Sequence, residues 1–211
     1  LVPPHKLIPF FAGRSETADI SIIEGVMGLY DGGREGVSST AQVAKDLNAP
    51  VVLVIDCKAM GESAAAIAKG FRDYDPDVQF GGVILNRLGS DNHEHMIRTA
   101  MKKLGVPVLG AIRRDERMQS PERHLGLTPV TEIDPTEAIA TIRDAVKVMV
   151  NLQALTELAQ SAPDLSIETV EAVESVEKRA RIGIAMDEAF SFYYPASLAA
   201  LEAEGAELHY F

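Results

Sequence analysis

The chain has 211 residues, of which 46% are hydrophobic and 24% charged, and its formal net charge at pH 7 is -11. This length allows one or two domains with a sizeable core, and the acidic charge argues against nucleic acid and anionic membranes as partners. One cysteine excludes an internal disulfide framework, and no apolar run reaches the roughly 18 to 20 residues that span a bilayer. We therefore expect a cytoplasmic protein.

Short apolar runs alternate with amphipathic segments along the first 160 residues. Because the apolar runs are continuous rather than alternating, they predict a parallel sheet covered on both faces by helices, which is the doubly wound α/β class. The predicted strands span 19–24, 51–56, 82–86 and 107–112. The predicted helices span 38–47, 61–72, 91–104 and, after a long irregular loop, 135–160.

The composition changes after residue 160, where 161–177 holds five acidic and no basic residues. This stretch predicts an acidic linker over 161–180 between a first domain, 1–160, and a second unit, 181–211. The second unit has a strand at 181–186, a helix at 196–204 and a strand at 207–211. Three elements cannot bury a core alone, so we expect them to pack on the first domain or on another copy.

Two carboxylates flank a glycine-rich loop after the first predicted strand. Glu24 ends the apolar run, and Asp31 follows seven residues later in the sequence EGVMGLYDG. In an open α/β sheet, ligands bind beyond the carboxyl ends of the strands, so the pair predicts a site for magnesium and a phosphate-bearing substrate. The alternative is a connection with solvated acids and an Asx-type turn at Asp31.

Five segments, in this order along the chain, resemble the cobyrinic acid a,c-diamide synthase family, whose members use ATP and glutamine to amidate corrinoid side chains. The segments are EGVMGLYDG at 24–32, VVLVID at 51–56 with SAAA at 63–66, GVILNR at 82–87, PERHLGL at 121–127 and RIGIAMDEAFSFYYP at 181–195. Each motif alone is weak. Together they extend the resemblance over about 19–211, which argues against a chance match.

The resemblance implies a P-loop NTPase domain of the dethiobiotin synthetase type, missing its first strand, followed by the start of a glutamine amidotransferase domain. The implied reaction amidates the c and then the a carboxylate of cobyrinic acid through a phosphorylated carboxylate, in cobalamin biosynthesis. It would use ATP and Mg²⁺, with glutamine or ammonia as nitrogen donor and a homodimer as one assembly. Hydrogenobyrinic acid and nickel sirohydrochlorin are alternative substrates. A catalytically silent binding module and an ATPase without glutaminase function are alternatives of other classes.

Two motifs that this activity requires are absent from the sequence. No GxxxxGK[ST] occurs, although this motif cradles phosphates on backbone amides. In the resembled family it lies upstream of EGVMGLYDG, and the cysteine nucleophile of the amidotransferase lies beyond Phe211. Cys57 follows a strand of the first domain, so we interpret it as a partly buried small residue. Together with a first residue that is Leu rather than Met, this predicts a fragment that is inactive alone.

The resemblance also implies roles for individual residues. Glu24 would bind magnesium, and Asp31 would face the corrinoid carboxylate. Glu24, Asp56 and Asn86 each end a predicted strand and are expected to converge on one crevice, where Asn86 would read the adenine edge. The other expected nucleotide-binding residues are Arg87, Arg113 and Arg114. The expected substrate or interface residues are Tyr30, Arg123, His124, Asp187, Glu188 and Tyr193.

Structural alternatives stay open for several of these residues. Asn86 could be a strand-end turn residue, and Arg113 and Arg114 could cap a helix or pair with surface acids. Arg123 and His124 could make a buried structural hydrogen bond, and the aromatic residues near Tyr193 could be ordinary packing. His93 and His95 do not predict a metal site, because residues two apart on a helix point in different directions. We interpret them as an exposed first turn of a helix.

Overall fold

The computed structural model describes residues 4–34, 37–118, 136–165, 177–187 and 189–211. The strands are β1 Val51–Asp56, β2 Phe80–Leu88, β3 Val108–Arg113, β4 Ala180–Ile184 and β5 Ala206–Tyr210. The helices are α1 Pro4–Ser15, α2 Thr40–Asp46, α3 Ser63–Tyr74, α4 Asp91–Lys103, α5 Thr136–Met149, α6 Leu152–Gln160 and α7 Pro195–Ala203, with a 3₁₀ turn at Glu116–Met118. These elements fall into two compact units, one holding α1 to α6 with β1 to β3 and the other β4, α7 and β5.

The first unit contains a three-stranded sheet in the order β1-β2-β3, with both neighbouring pairs parallel. Parallel neighbours need a crossover, and α3 and α4 supply the two crossovers here. The register places Asp56 opposite Asn86 at the carboxyl ends of β1 and β2. The predicted parallel sheet of alternating strands and helices is therefore confirmed, and the ends of β1 and β2 meet at one edge.

The core of the first unit lies between the sheet and the pair α3 and α4. Val83 and Leu85 of β2 are fully buried against Ile97 and Met101 of α4. The opposite face of the sheet is covered at Gly110, where an added methyl group would lie 2.9 Å from Cγ2 of Val150. This close approach explains the lack of a side chain at residue 110. Burial of this apolar area is the main term that stabilises the unit.

β1 is less well covered than the sequence predicts. Val54, in the middle of this strand, has 59% of its surface exposed, whereas its partner in the register, Ile84, is half-buried. Within the described residues β1 pairs only with β2, so it forms an edge of the sheet. The expectation that helices cover both faces of every strand is therefore wrong for β1.

The predicted strand at 19–24 is also wrong. Residues 19–25 form no ladder with any described strand, and Ile22 and Val26 are 93% and 94% exposed. An apolar run supplies side chains for a buried strand, but a strand also needs a neighbour that accepts its backbone hydrogen bonds. Glu24 therefore stands in an extended loop and not at the end of a strand.

The single long helix predicted at 135–160 is two helices in the structure. The chain turns at Val150 and Asn151, where the Asn151 amide donates to the carbonyl of Leu109 (2.7 Å). Its side-chain oxygen accepts from the amide of Ala154 (3.0 Å) and so caps the start of α6. Asparagine is a favoured cap residue, and the turn lets Val150 pack on β3. Contact with the sheet therefore outweighs the helical propensity of the continuous pattern.

The second unit is a parallel pair of strands, β4 and β5, joined by α7. Its predicted strand, helix and strand are confirmed, each within two residues. Ile184 is its buried apolar residue among those described, and Phe192 and Phe211 are mostly exposed. None of the described helices of either unit has the length and apolar character that crossing a bilayer requires.

Candidate functional site

The glycine-rich loop at 24–33 is held against the start of α2. Leu29 is buried beside Ala41 and Val78, and its carbonyl accepts a hydrogen bond from the Ala41 amide (2.9 Å). Ser39 caps α2 by accepting from the Gln42 amide (3.1 Å). The loop therefore has a fixed anchor in its middle, between the two carboxylates.

Tyr30 supplies the second anchor of the loop. Its hydroxyl donates to the carbonyl of Phe71 near the end of α3 (2.5 Å), and its ring stacks on the Phe71 ring at 5.9 Å between centroids. Burial raises the pKa of the Tyr30 hydroxyl, and the nearby Asp75 carboxylate adds to this. The family resemblance implies that Tyr30 is a substrate or interface residue. In the structure its hydroxyl is bound to the protein and acts by positioning the loop.

Close approaches at two glycines shape the loop further. An added methyl group at Gly25 would lie 2.8 Å from Oγ1 of Thr40, and one at Gly28 would collide with the carboxylate of Asp31. The Asp31 amide also donates to the carbonyl of Gly28 (2.9 Å), which closes a tight turn. Gly28 therefore leaves the space that the Asp31 carboxylate occupies.

Glu24 and Asp31 line one cavity, of about 340 Å³. The same cavity is lined by the hydroxyl-bearing Ser38 and Thr40 and by the exposed apolar residues Val26 and Met27, among others. Within the described part of the chain, neither carboxylate side chain has a hydrogen-bond or ion-pair partner. The structure thus brings Glu24 and Asp31 together in a cavity whose lining holds both oxygen-bearing and apolar side chains.

The oxygen atoms of this cavity fit a hard divalent cation. Magnesium is usually bound by one or two carboxylates, with the remaining positions filled by water and substrate oxygens. Among the described residues, no three His, Cys, Asp or Glu side chains are grouped as a complete metal site. Glu24 and Asp31 would thus supply at most part of a magnesium shell, and the rest would come from a bound phosphate or carboxylate.

A second set of polar residues, here called the strand-end group, consists of Asp56, Asn86 and Arg87. Nη1 of Arg87 lies 2.9 Å from Oδ2 of Asp56, and the Arg87 amide donates to Oδ1 of Asn86 (2.9 Å). Arg87 has a φ of 60°, in the left-handed region that non-glycine residues rarely adopt. Such strain is typical of sites where the surrounding structure holds a side chain in place.

The lining of the Glu24 cavity does not include the strand-end group. Asp56 and Asn86 do lie together, as the shared register of β1 and β2 predicts. Glu24 does not join them in a single lined crevice, because it is not carried by a neighbouring strand. The expected convergence is therefore seen for Asp56 and Asn86, whereas Glu24 lines a separate cavity of the first unit.

Arg113 ends β3 and Arg114 follows it, and both contact acids of the protein. Nη2 of Arg113 lies 2.6 Å from both Asp91 and Glu94 of α4, and Nη1 is buried with no partner among the described residues. Arg114 is exposed, and its Nη2 lies 3.4 Å from Glu116. For Arg113 these contacts favour the alternative that it ties the end of β3 to the start of α4.

Two predicted interface residues of the second unit stabilise its first turn. Oδ1 of Asp187 accepts from the amides of Ala189 and Phe190, both at 2.8 Å. The Tyr193 hydroxyl donates to the carbonyl of Ala185 (2.7 Å). Their expected role at a substrate site or interface stays a prediction. Arg123, His124 and Glu188, which the same prediction includes, lie outside the described residues.

Two residues differ from their interpretation in the sequence analysis. Cys57 is fully buried rather than partly buried, and burial raises the pKa of its thiol, so it is a poor nucleophile. His93 lies in the first turn of α4, as predicted, but it is not exposed. It is half-buried, and both of its ring nitrogens contact backbone atoms of neighbouring loops. No motif in the sequence marks it.

Comparisons with known proteins show a family and several relatives to which the chain is similar. Residues 9–127 match the family model described as the CobQ/CobB/MinD/ParA nucleotide binding domain. The chain is 41% identical to the cobyrinate a,c-diamide synthase of Picrophilus torridus over 98% of the chain and 48% of that relative. It is 44% identical to the enzyme of the same name from Limosilactobacillus reuteri, over 99% of the chain and 46% of the relative.

A third relative carries a different substrate in its name. The hydrogenobyrinate a,c-diamide synthase of Streptomyces coelicolor is 46% identical over 83% of the chain and 37% of that relative. The chain thus spans about half the length, or less, of these curated relatives. No solved structure matches the chain significantly.

Proposed function

The chain belongs to the CobQ/CobB/MinD/ParA family of nucleotide-binding domains, and from this we propose that it is the substrate-side part of an ATP-dependent a,c-diamide synthase. The resemblance to a,c-diamide synthases predicted from its motifs is confirmed by its relatives. The proposed reaction converts the c and a carboxylates of cobyrinic acid to carboxamides. Glutamine, or ammonia directly, would provide the nitrogen.

One observation carries the proposal, namely the placement of Glu24 and Asp31 in one cavity with no protein partner among the described residues. The oxygen of a carboxylate is a poor leaving group, so it must first be phosphorylated, and it then leaves the acyl carbon as phosphate when ammonia attacks. The acyl phosphate and the attacking amine both need to be held in line. Two free carboxylates beside apolar side chains suit a corrinoid edge, because they would orient a cation-bound phosphate while Val26 and Met27 contact the ring.

We propose that magnesium, when bound, neutralises the phosphate charge at Glu24, with Asp31 holding the substrate carboxylate through the cation or a hydrogen bond. The strand-end group would contact the nucleoside part of ATP, with the side-chain amide of Asn86 toward the base. The half-buried position of Asn86 beside the exposed Arg87 supports this. Phosphate contacts of the GxxxxGK[ST] type are absent from these 211 residues, so they would have to come from other parts of a longer polypeptide.

We further propose that 1–160 acts on nucleotide and corrinoid, that 161–180 links it to the next unit, and that 181–211 opens a glutamine amidotransferase domain. The parallel β4-α7-β5 unit supports an α/β start for such a domain. A homodimer is also consistent with this proposal and stays a prediction.

The test is an amidation assay on a polypeptide that contains this chain and has the length of its relatives. Cobyrinic acid, hydrogenobyrinic acid and nickel sirohydrochlorin would each be incubated with ATP, Mg²⁺ and either glutamine or ammonium. Mass spectrometry would follow the change from carboxyl to carboxamide. We expect two successive amidations of one corrinoid, strictly dependent on ATP, and none by the 211-residue chain alone. We call the polypeptide that has the length of its relatives the relative-length form. If this form amidates none of the three substrates, that result would support the silent binding module instead.

A further inference from the structure

One histidine joins the two loops that follow β1 and β2. Nδ1 of His93 accepts a hydrogen bond from the amide of Gly89 (3.1 Å), in the turn between β2 and α4. Nε2 of the same ring contacts the carbonyl oxygen of Met60, in the loop between β1 and α3. Met60 lies 33 residues before His93 in the sequence, so the ring joins two loops that are distant along the chain.

The two contacts together define the state of the ring. A carbonyl oxygen only accepts, so Nε2 must carry the proton that is donated to Met60, and an amide N–H only donates, so Nδ1 must be unprotonated. The two contacts therefore select the tautomer that carries its hydrogen on Nε2.

The same two loops carry signs of being held by their surroundings. Ala59 has a φ of 58°, and Arg87, two residues before Gly89, has a φ of 60°. Left-handed backbone at non-glycine residues is unfavourable and persists only where neighbouring contacts enforce it. A second contact of α4 supports the first loop, because an added methyl group at Gly61 would lie 2.9 Å from Cε of Met96.

These loops directly continue the strand-end group. Asp56 immediately precedes the β1–α3 loop, and Asn86 and Arg87 precede the β2–α4 turn. The Asp56 to Arg87 ion pair crosses between the two strands and is exposed on both sides, so alone it contributes little to fixing their separation. A second connection is the half-buried imidazole of His93, which contacts the backbone of both loops.

We propose that His93 is a positioning residue, which holds the two loops at a fixed separation and thereby places Asp56, Asn86 and Arg87 for contact with an adenine nucleotide. The nucleotide part of this inference rests on the proposed function, whereas the connection between the loops does not. His93 itself touches no reacting atom.

The experiment compares four variants of the 211-residue chain by NMR, using amide hydrogen exchange and the chemical shifts of the strand-end group. His93→Ala removes both contacts. Asn ends close to the position of Nδ1 and Gln reaches close to that of Nε2, so His93→Asn retains the contact with Gly89 and His93→Gln the contact with Met60. His95→Ala is the matched control, since His95 lies exposed on the same helix.

We expect His93→Ala to accelerate exchange of the Gly89 amide about tenfold, the effect of losing a hydrogen bond of typical net strength. It should also shift the Gly61 amide signal, because the Met60 carbonyl and the Gly61 nitrogen share one peptide bond, and the Asn86 and Arg87 signals. His93→Asn should restore protection of the Gly89 amide only, and His93→Gln the wild-type Gly61 signal only. His95→Ala should match the wild type. The inference is overturned if His93→Ala leaves the strand-end signals unmoved, or if Asn fails to restore Gly89 and Gln fails to restore Gly61.

A titration of the same samples with ATP separates this inference from the proposed function. If ATP shifts the Asn86 and Arg87 signals of the wild type, His93→Ala should weaken that response while the control retains it. If ATP shifts neither signal in the wild type, the nucleotide role of the strand-end group fails. The exchange results would then still decide whether His93 joins the loops.

Discussion

A methyl group added at residue 28 would move the Asp31 carboxylate without changing its charge, and so tests whether its position matters. Gly28→Ala would collide with that carboxylate and displace it, although Asp31 itself is unchanged. Because the loop is exposed here, we expect the free energy of unfolding to change by less than about 1 kcal/mol. We expect the amidation rate of the relative-length form to fall by about tenfold or more, because a small displacement of a group that positions the substrate slows the reaction strongly.

The control for this prediction is a double-mutant cycle with Asp31→Asn. If Gly28 acts only through the Asp31 carboxylate, Gly28→Ala should add little further loss to Asp31→Asn. Additive losses of rate would show that residue 28 contributes in another way and would remove the support for Asp31 as the displaced group.

The residues of the candidate site differ in how far the sequence could reveal them. Glu24 and Asp31 are predictable, because acids flanking a glycine-rich turn stay close along the chain. The contacts of Tyr30 and His93 could not be predicted. Their carbonyl partners lie 41 and 33 residues away, and every residue carries a backbone carbonyl. Hydrogen bonds to distant backbone leave no pattern of residue types in the sequence.

At the scale of elements, two glycines of the first unit should respond to alanine in opposite directions. Gly70 lies inside α3 on its exposed side, with nothing within 4 Å of an added methyl group. Gly70→Ala should therefore raise the free energy of unfolding by about 0.5 to 1 kcal/mol, since alanine loses less backbone entropy in a helix.

Gly110→Ala should instead lower the free energy of unfolding, by about 1 to 3 kcal/mol, because its methyl group would lie 2.9 Å from Cγ2 of Val150. Both variants can be compared with the wild type by urea denaturation under identical conditions. Equal effects of the two substitutions would contradict the packing of the α5–α6 junction on β3.

Strands and helices could be predicted where an apolar run also has a neighbouring element that pairs or packs with it. β1, β2, β3 and the helices between them match the predicted spans to within two residues at nearly every end, because parallel pairing and burial both favour them. The run at 19–24 has the composition of a strand without a described neighbour to pair with. The break at Asn151 is set by contact of Val150 with the sheet, a tertiary effect that helical periodicity does not contain.

At the scale of the whole molecule, stability should depend on pH in the acid range. The pKa of Asp73 is lowered to about 2 by hydrogen bonds from Arg72 and Lys69, and that of Asp115 to about 2 by Arg117. The pKa of Asp75 is lowered by its hydrogen bond with Lys45, which joins α2 to the chain after α3. Unfolded aspartates bind protons at a higher pH than these do in the folded state.

The unfolded state therefore takes up more protons as the pH falls below the ordinary aspartate value of 3.8. We expect the urea midpoint to hold steady from neutral pH to about 4 and to fall progressively toward pH 2. Asp73→Asn should flatten part of this decline, because it removes one of the titrating groups. A wild-type midpoint that is constant from pH 4 to pH 2 would contradict the ion pairs described here.

The central claim is that Glu24 and Asp31 form the part of the site that handles the substrate carboxylate and its phosphate. The most direct measurement is the rate constant for corrinoid amidation by the relative-length form that carries Glu24→Gln or Asp31→Asn. Glu62→Gln is the control, because the side chain of Glu62 is exposed and makes no cap hydrogen bond to α3. We predict losses of about a hundredfold or more for the two site variants, typical of removing a group that stabilises transition-state charge, with the control unchanged. Site variants as active as the control would contradict the claim.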